Sequence, residues 1–358
     1  MSQRPLRRVP RRSSRLLKFA SLADGRYTGG SVQTEIAPVS PERSPGTDAP
    51  VAASELRAPS LLRRLREALR FDGLWWRKIA RLGAVYGPEW WTRSAPPVVA
   101  FIIFLVVGRN RRGAIENQTR ARPAEGYWGA MVGAYRMFAC FAYCMAETME
   151  YYGPHPKPFR IDEPARNHVA EALARGRGVI LATAHLGNWD VSGRALHKAG
   201  RPVHLVMARE PNETTQEYSR VTREQAGMHV IFSDSSVFSA FNMIRALRQN
   251  EILAIQIDRG NGDPNSSVKR VRLFDAEAPF QDGPFQLARL SGAPVVPVVT
   301  LRRGRRHYEI VLGAPRWVDR DVGGDTERAL LQTVEFFERT IRENPEQWFR
   351  FSPFWLPL

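Results

Sequence analysis

The segment Val179-Ile-Leu-Ala-Thr-Ala-His-Leu-Gly-Asn-Trp-Asp190 passes from a short apolar run through a glycine turn into the start of a helix. An apolar run of this length is typical of a strand that is buried on both faces. Similar runs follow at 203–208, 229–232, 252–257, 295–301 and 308–311. They alternate with helical patterns at 163–175, 214–225, 237–249, 284–291 and 326–342. This alternation predicts an α/β fold, in which helices flank a largely parallel central sheet.

Three regions of different composition divide the chain. Residues 1–59 are rich in Arg, Ser, Pro, Gly and Ala, which predicts a disordered basic extension because such a segment buries too little apolar surface to offset the entropy of ordering. Residues 60–126 carry amphipathic and apolar helical patterns. Residues 127–358 hold the strands and helices of the expected domain, and their first segment, 127–150, is nearly all apolar, which predicts a buried helix.

The region 60–126 has the composition of a membrane-associating surface. In segment 60–71, leucines share one helical face while arginines fill much of the remainder. Four tryptophans follow beside basic side chains, a mixture found at the depth of lipid headgroups: Trp75, Trp76, Trp90 and Trp91. The apolar run 98–107 is shorter than the roughly 20 residues of an ordinary transmembrane helix. We expect a tilted or re-entrant segment, or a buried core helix, and segment 60–71 equally fits a helix packed on the protein's own core.

The formal charge of +16, from 52 Lys and Arg against 36 Asp and Glu, indicates an anionic partner. Anionic lipid, an acidic carrier protein and nucleic acid all qualify. No nucleic-acid-binding module is recognisable, and the tryptophans accompany leucines as they do at a lipid interface, so nucleic acid is not expected. The basic N-terminus leads into no apolar signal region, and Cys140 and Cys144 suit a reducing compartment, so we expect the protein to stay inside the cell.

The candidate catalytic residues are His185 and Asp190. Functional groups gather at the carboxyl ends of strands in parallel sheets, and His185 leaves its strand at that end. The carboxylate of Asp190, five residues on, is close enough to accept a hydrogen bond from one imidazole nitrogen, which leaves the other nitrogen as a base toward an alcohol. The helix that starts at Asn188 offers backbone N–H groups to an oxyanion. Spacing alone is weak evidence, because His229 and Asp234 repeat it.

Further candidate binding residues lie at other strand ends. Arg209 follows the next predicted strand, where an arginine can hold a phosphate through a forked pair of hydrogen bonds. Asp258 and Arg259 follow a later strand and are candidates for binding a polar headgroup. Each of these side chains could equally form a surface ion pair. Asn188 is a fourth candidate for substrate binding. The remaining histidines form no cluster with metal-ligand spacing, so we expect no metal and no permanently bound cofactor.

The order of these motifs resembles that of the lysophospholipid acyltransferase superfamily, in particular the lipid A lauroyl and myristoyl acyltransferases and the phosphatidylinositol mannoside acyltransferases. The resemblance covers residues 127–355 and rests on His185-x4-Asp190, Arg209, Asp258, Ala288-Arg-Leu-Ser-Gly-Ala-Pro-Val-Val-Pro297 and Asn344-Pro-Glu-Gln-Trp-Phe-Arg-Phe351. It implies transfer of a fatty acyl group from a thioester of acyl carrier protein or coenzyme A to a hydroxyl of a membrane glycolipid, such as a lipid A precursor.

The resemblance also implies roles for single residues. His185 corresponds to the catalytic base and Asp190 to its partner, Arg209 to the acceptor-binding arginine and Asp258 to the acid of the third motif. Gln256 stands where lipid A enzymes usually carry another acid, which concerns the identity of the acceptor. We expect a peripheral or re-entrant protein on the cytoplasmic face of the inner membrane. A non-catalytic lipid-binding relative and a basic nucleic-acid-binding protein are the alternatives.

Overall fold

The computed structural model describes residues 74–356 apart from 165–166, 192, 194–199, 209–215, 218–219, 222, 225–226, 234–236 and 259–266. The expected disordered extension 1–59 and the amphipathic segment 60–71 lie outside the described residues. The described helices are α1 (Leu74–Tyr86), α2 (Glu89–Val106), α3 (Gly108–Ala121), α4 (Gly126–Tyr151), α5 (His168–Leu173), α6 (Val237–Arg248), α7 (Gly283–Ser291) and α8 (Asp325–Glu343). The described strands are β1 (Arg160–Asp162), β2 (Val179–Thr183), β3 (Val203–Met207), β4 (Met228–Phe232), β5 (Ile252–Gln256), β6 (Val268–Leu273), β7 (Ala276–Gln281), β8 (Val295–Gly304) and β9 (His307–Leu312).

The central sheet has seven strands in the order β1-β9-β8-β2-β5-β3-β4. Only the β8–β9 pair among these described strands is antiparallel, and the other neighbours are parallel. β2 lies in the middle and is buried along its first four residues, as its continuous apolar sequence predicts. The expected α/β fold with a largely parallel sheet is therefore confirmed.

A separate two-stranded hairpin, β6–β7, is not among the elements predicted from the sequence. Its turn contains Phe274 and Asp275, which both adopt positive φ, whereas the usual turn signal at such positions is Asn-Gly or Asp-Gly. β6 is also basic, with only Val271 and Leu273 buried. The hairpin joins the main core, because Phe280 and Phe274 pack in the same apolar cluster as Trp348.

Helices α1 to α4 form a layer beside the sheet. α2 contains Pro96 and Pro97, and a proline leaves the carbonyl four residues earlier without its helical donor. The carbonyl of Arg93 instead accepts the Tyr143 hydroxyl at 2.9 Å, and the Pro97 carbonyl accepts the Tyr135 hydroxyl at 3.3 Å. Both tyrosines belong to α4, so these two hydrogen bonds join α2 to α4 at the proline pair.

The first turn of α2 is tied to the sheet by Glu89. Its carboxylate accepts hydrogen bonds from Arg305 at 2.5 Å and Arg306 at 3.4 Å, both in the β8–β9 turn. The hydrogen bond from Arg305 lowers the pKa of Glu89 to about 2, and the positive charges of Arg305, Arg306 and Lys157 act in the same direction. The helical layer and the sheet edge are thus joined by charged groups as well as by apolar packing.

The apolar run 98–107 forms the end of α2, which meets α3 at a bend of 103°. Arg111 donates to the carbonyls of Phe104 at 3.2 Å and Leu105 at 3.0 Å, which have no partner within the last turn of the helix. By length and composition this bent pair passes as a broken span or re-entrant loop, and Pro123–Tyr151 is long and apolar enough to cross a membrane. The described residues therefore hold one candidate span and one candidate bent pair.

The segment 127–150 is not the fully buried helix that its composition predicts. One face of α4 packs inside the layer through Ala134 and Met137, but Trp128 near its start is 71% exposed. α2 behaves in the same way, since only one side of it is buried. The exposed apolar side chains of these two helices are Trp90, Trp91, Val98, Val99, Phe101, Ile102, Leu105, Val106, Tyr127, Trp128 and Val132. We call this set the apolar face. Composition shows that its side chains are apolar but not what covers them.

Candidate active site

The turn that follows β2 is shaped by Gly187. This residue has φ of 66°, and a Cβ atom there would lie 2.0 Å from the Thr300 carbonyl oxygen, so only glycine fits. The Gly187 N–H donates to the Gln347 carbonyl at 2.8 Å, and the Asn188 N–H donates to the Thr300 carbonyl at 2.8 Å. The turn is therefore held against β8 and against the segment 347–349, and we call residues 184–188 the catalytic turn.

His185 is paired with Asp258. The imidazole Nδ1 lies 2.7 Å from Asp258 Oδ1, and the backbone N–H of His185 donates to Oδ2 at 2.9 Å. The register explains this pair: Thr183 of β2 lies opposite Gln256 of β5, and His185 and Asp258 each follow two residues later. The carboxylate of Asp258 can only accept, so Nδ1 carries a hydrogen, and in the neutral imidazole Nε2 keeps its lone pair.

The carboxylate of Asp258 is held in its charged form. The residue is 1% exposed, and burial by itself would raise its pKa. Attraction to the His185 ring in its protonated, positively charged form and the hydrogen bond from that ring outweigh this, with a smaller contribution from Arg350, so that the pKa of Asp258 is lowered. The indole N–H of Trp348 also donates to Oδ2, at 3.4 Å. All close partners of the carboxylate are donors, as an ionised acceptor requires.

Asp190 does not make the hydrogen bond that the sequence predicts. His185 and Asp190 are both described, and the only carboxylate bonded to the imidazole is that of Asp258. Asp190 instead faces Arg223, whose Nε lies 3.4 Å from Oδ1. The ring of Trp189 packs edge-on against the imidazole, with centroids 5.5 Å apart. The expected contact is corrected to His185–Asp258, since the single Nδ1 hydrogen is already bound.

The side chain of Asn188 points into the protein. It is 5% exposed, and its amide donates to Thr148 Oγ1 at 3.0 Å and Tyr308 Oη at 3.1 Å. This geometry disagrees with the expected substrate contact and favours an anchoring role. The N–H groups of His185, Gly187 and Asn188 are all bonded within the protein, so these three are not available to an oxyanion.

Two other expected site residues, Arg209 and Arg259, lie outside the described residues. Among the described side chains, no group of three or more His, Cys, Asp and Glu is arranged to hold a metal ion. Trp348 escaped the sequence reasoning as a site residue; its signal was the aromatic segment near residue 350, whose position against the catalytic turn depends on the tertiary fold.

Among the described side chains, the partner bonded to the His185 imidazole is a carboxylate, and no serine, threonine or cysteine is bonded to it. An ionised, buried carboxylate fixes the tautomer and orientation of His185, whose side chain is 20% exposed. Such a base can remove the proton of an alcohol that enters from solvent or from a lipid surface. The pair lies at the carboxyl edge of the parallel strands, where α/β sheets bind their ligands.

Comparison with known proteins identifies the family of this chain. The family model of the bacterial lipid A biosynthesis acyltransferases matches residues 134–357, which include the catalytic turn and Asp258. The phosphatidylinositol mannoside acyltransferase of Mycobacterium tuberculosis is 27% identical over 191 residues, covering 53% of this chain and 58% of that protein. That of Mycolicibacterium smegmatis is 26% identical over 192 residues, covering 53% of this chain and 60% of that protein. The chain thus spans less than two thirds of either relative.

Proposed function

Because this chain belongs to the family of bacterial lipid A biosynthesis acyltransferases, we propose that it transfers a fatty acyl group from a thioester to a hydroxyl of a membrane glycolipid. The observation that carries the proposal is the hydrogen bond of 2.7 Å between His185 and the buried Asp258. This bond leaves Nε2 available as a base. The proposed reaction therefore needs no covalent acyl-enzyme intermediate. The donor is a thioester of acyl carrier protein or coenzyme A, and no permanently bound cofactor takes part.

In the proposed reaction, Nε2 of His185 removes the proton from the acceptor hydroxyl as its oxygen attacks the thioester carbonyl carbon. Asp258 stabilises the imidazolium that forms, because its carboxylate is charged and fixed by three donors. The tetrahedral intermediate then collapses, the carbon–sulfur bond breaks, and the imidazolium returns its proton to the departing thiolate. The products are the acylated lipid and a free thiol.

Arg209 and Arg259 are proposed to position the acceptor, as the family resemblance implies. Both follow strands that end at the same edge as β2 and β5, and a guanidinium binds phosphate or vicinal hydroxyl groups through forked hydrogen bonds. Asp190, which pairs with Arg223, is proposed to contribute a second carboxylate to the positioning of the acceptor. Asn188 is left out, because its amide is buried and bonded.

The apolar face is proposed to contact the lipid bilayer at the cytoplasmic side of the inner membrane. It consists of large apolar side chains on α2 and α4, a clustering that soluble proteins rarely leave exposed to water. Arg109 and Arg112 are exposed directly after the bend that ends α2, where they would meet anionic headgroups. α4 carries the face at its start and contacts the catalytic turn near its end, which would bring the acceptor lipid toward His185.

The test is transfer of labelled acyl groups from acyl carrier protein and, separately, from coenzyme A into a total lipid extract. Wild type should produce a labelled lipid, and His185→Ala should be slower by roughly 100 to 10,000-fold because the general base is lost. Mass analysis of the product identifies the acceptor, and the two donor arms distinguish the carriers. Equal rates for wild type and His185→Ala would contradict the proposed base. Acceptor binding without any transfer would favour a non-catalytic lipid-binding protein.

A further inference from the structure

A buried ion pair lies beneath the catalytic turn, apart from the proposed base and its acid. Glu147 on α4 is 4% exposed and interrupts a helix that is otherwise largely apolar. Arg302 on β8 donates to Glu147 Oε1 from Nε at 3.2 Å and from Nη2 at 2.8 Å. Burying two charges removes their hydration, so a buried ion pair is weak evidence for a contribution to stability alone. A role in ordering neighbouring groups is a more specific explanation.

One hydrogen-bonded chain leads from this ion pair to the catalytic turn. The second carboxylate oxygen of Glu147 accepts the Tyr308 hydroxyl at 2.5 Å. Tyr308 Oη in turn accepts the side-chain amide of Asn188 at 3.1 Å. Tyr308 is fully buried, and this burial raises its pKa above the ordinary value, so its hydroxyl stays a donor. Asn188 lies three residues after His185, within the same turn.

A second chain runs from the backbone of Arg302 to the other side of the turn. The backbone N–H of Arg302 donates to Gln347 Oε1 at 2.7 Å, and Gln347 Nε2 donates to the Arg302 carbonyl at 3.0 Å. The Gln347 carbonyl then accepts the N–H of Gly187 at 2.8 Å. Glu147 thus reaches Asn188 through Tyr308, and the backbone of its partner Arg302 reaches Gly187 through Gln347.

We propose that Glu147, acting through Tyr308 and Asn188, is a positioning residue for His185. The inference rests on the proposed function, because it concerns the same reaction. Neither Glu147 nor Tyr308 touches the imidazole; they fix the backbone from which it projects. Groups that hold a catalytic side chain through other residues commonly change rate rather than substrate affinity. The effect should therefore appear in kcat, with KM for the donor nearly unchanged.

The first variant is Tyr308→Phe, which removes one hydroxyl and keeps the buried ring. We expect kcat to fall by roughly 10 to 100-fold, with KM within about twofold of wild type. The matched control is Tyr143→Phe, because its ring also contacts Arg302, at 4.5 Å, while its hydroxyl bonds to α2. The control should keep the wild-type kcat. Thermal denaturation of each protein measures whether a lower rate reflects unfolding.

A double-mutant cycle separates positioning from general packing. If Tyr308 acts through Asn188, adding Tyr308→Phe to Asn188→Ala should lower kcat no further. Independent, multiplicative losses would overturn the inference. Should Tyr308→Phe fail to fold, Glu147→Gln is the second variant, since the amide matches the carboxylate in shape and retains one acceptor oxygen. An unchanged kcat in that folded variant would also overturn the inference.

Failure of the inference is distinguishable from failure of the proposed function. An inactive His185→Ala together with a fully active Tyr308→Phe would refute only the positioning role. A fully active His185→Ala would refute the proposed base, whatever the behaviour of Tyr308→Phe.

Discussion

Replacing Asp258 by asparagine should reverse the tautomer of His185. The backbone N–H of His185 and the indole N–H of Trp348 both donate to Oδ2, at 2.9 and 3.4 Å, and neither group can become an acceptor. The amide oxygen of an asparagine must therefore take the Oδ2 position. Its NH₂ group then faces Nδ1, which has to accept, so the imidazole hydrogen moves to Nε2 and the base is lost.

The size of this effect follows from the loss of a general base. A histidine in the wrong tautomer cannot act as a general base, whose contribution is roughly 100 to 10,000-fold in rate, and the equivalent change in a serine-protease triad lies at the upper end of that range. Stability should change less. If the amide turns the other way, a buried donor faces another donor, which costs about 1–3 kcal/mol. Asp258→Asn should therefore fold and be nearly inactive.

The assay is single-turnover acyl transfer from a labelled thioester into lipid, with Asp190→Asn as the matched control. Asp190 makes one contact of 3.4 Å with Arg223, and the amide of an asparagine keeps one acceptor oxygen for that contact. Asp190→Asn should therefore lower the rate by less than about tenfold. Thermal denaturation of both variants confirms that folded proteins are compared.

The opposite ranking would refute the reasoning. If Asp190→Asn were as inactive as His185→Ala, while Asp258→Asn kept the wild-type rate, the imidazole would be oriented by Asp190 during the reaction. The hydrogen bond to Asp258 would then be a feature of the resting protein only.

Three further predictions concern other parts of the fold. Gly187→Ala should lose activity and lower the free energy of unfolding by well over the about 1–2 kcal/mol of a positive φ, because its Cβ would collide with backbone 2.0 Å away. Gly176→Ala, with φ of 73° and open space, should lower the free energy of unfolding by only that amount, as measured by chemical denaturation. The stabilising contribution of Glu89, whose pKa is lowered from 4.5 to about 2 by its hydrogen bond from the β8–β9 turn, is complete above pH 4.5 and is lost toward pH 2, so Glu89→Gln should flatten the fall of Tm over that interval. Phe101→Glu should weaken binding to anionic vesicles, measured by co-sedimentation, by roughly tenfold or more. Leu331→Glu, at an exposed position of α8, should leave binding unchanged, and equal effects would contradict the apolar face as the contact.

The central fold was accessible to sequence reasoning because its strands are continuous apolar runs. β3 and β5 begin where they were predicted, at residues 203 and 252, and each ends one residue earlier. The hairpin β6–β7 was missed because its turn lacks glycine and asparagine, and β1 because three residues are too few for a pattern. The half-exposed state of α4 could not be read either, since composition gives the polarity of a helix but not its neighbours.

At the site, the imidazole of His185 bonds to Asp258 and not to Asp190, the partner that the sequence predicted. His185 and Asp258 were both singled out as strand-end residues, but their contact depends on which strands are neighbours and in what register. Asp190 is near in sequence, which made it the simpler partner. The structural role of Glu147 had a visible signal, a charge within an apolar helix, but its two hydrogen-bonded chains join β8, β9 and the segment near residue 347.

The segment that crosses the catalytic turn has a consequence for biosynthesis. The His185 carbonyl accepts the Phe349 N–H at 2.7 Å, and Leu186 pairs with Trp348 in an isolated antiparallel bridge. These bonds join residues that are separated in the chain by nearly all of the sheet. A ribosome must therefore release the residues around 348 before the turn can take its final form. A growing chain that already carries both His185 and Asp258 therefore still lacks the bonds from residues 348 and 349 that hold this turn.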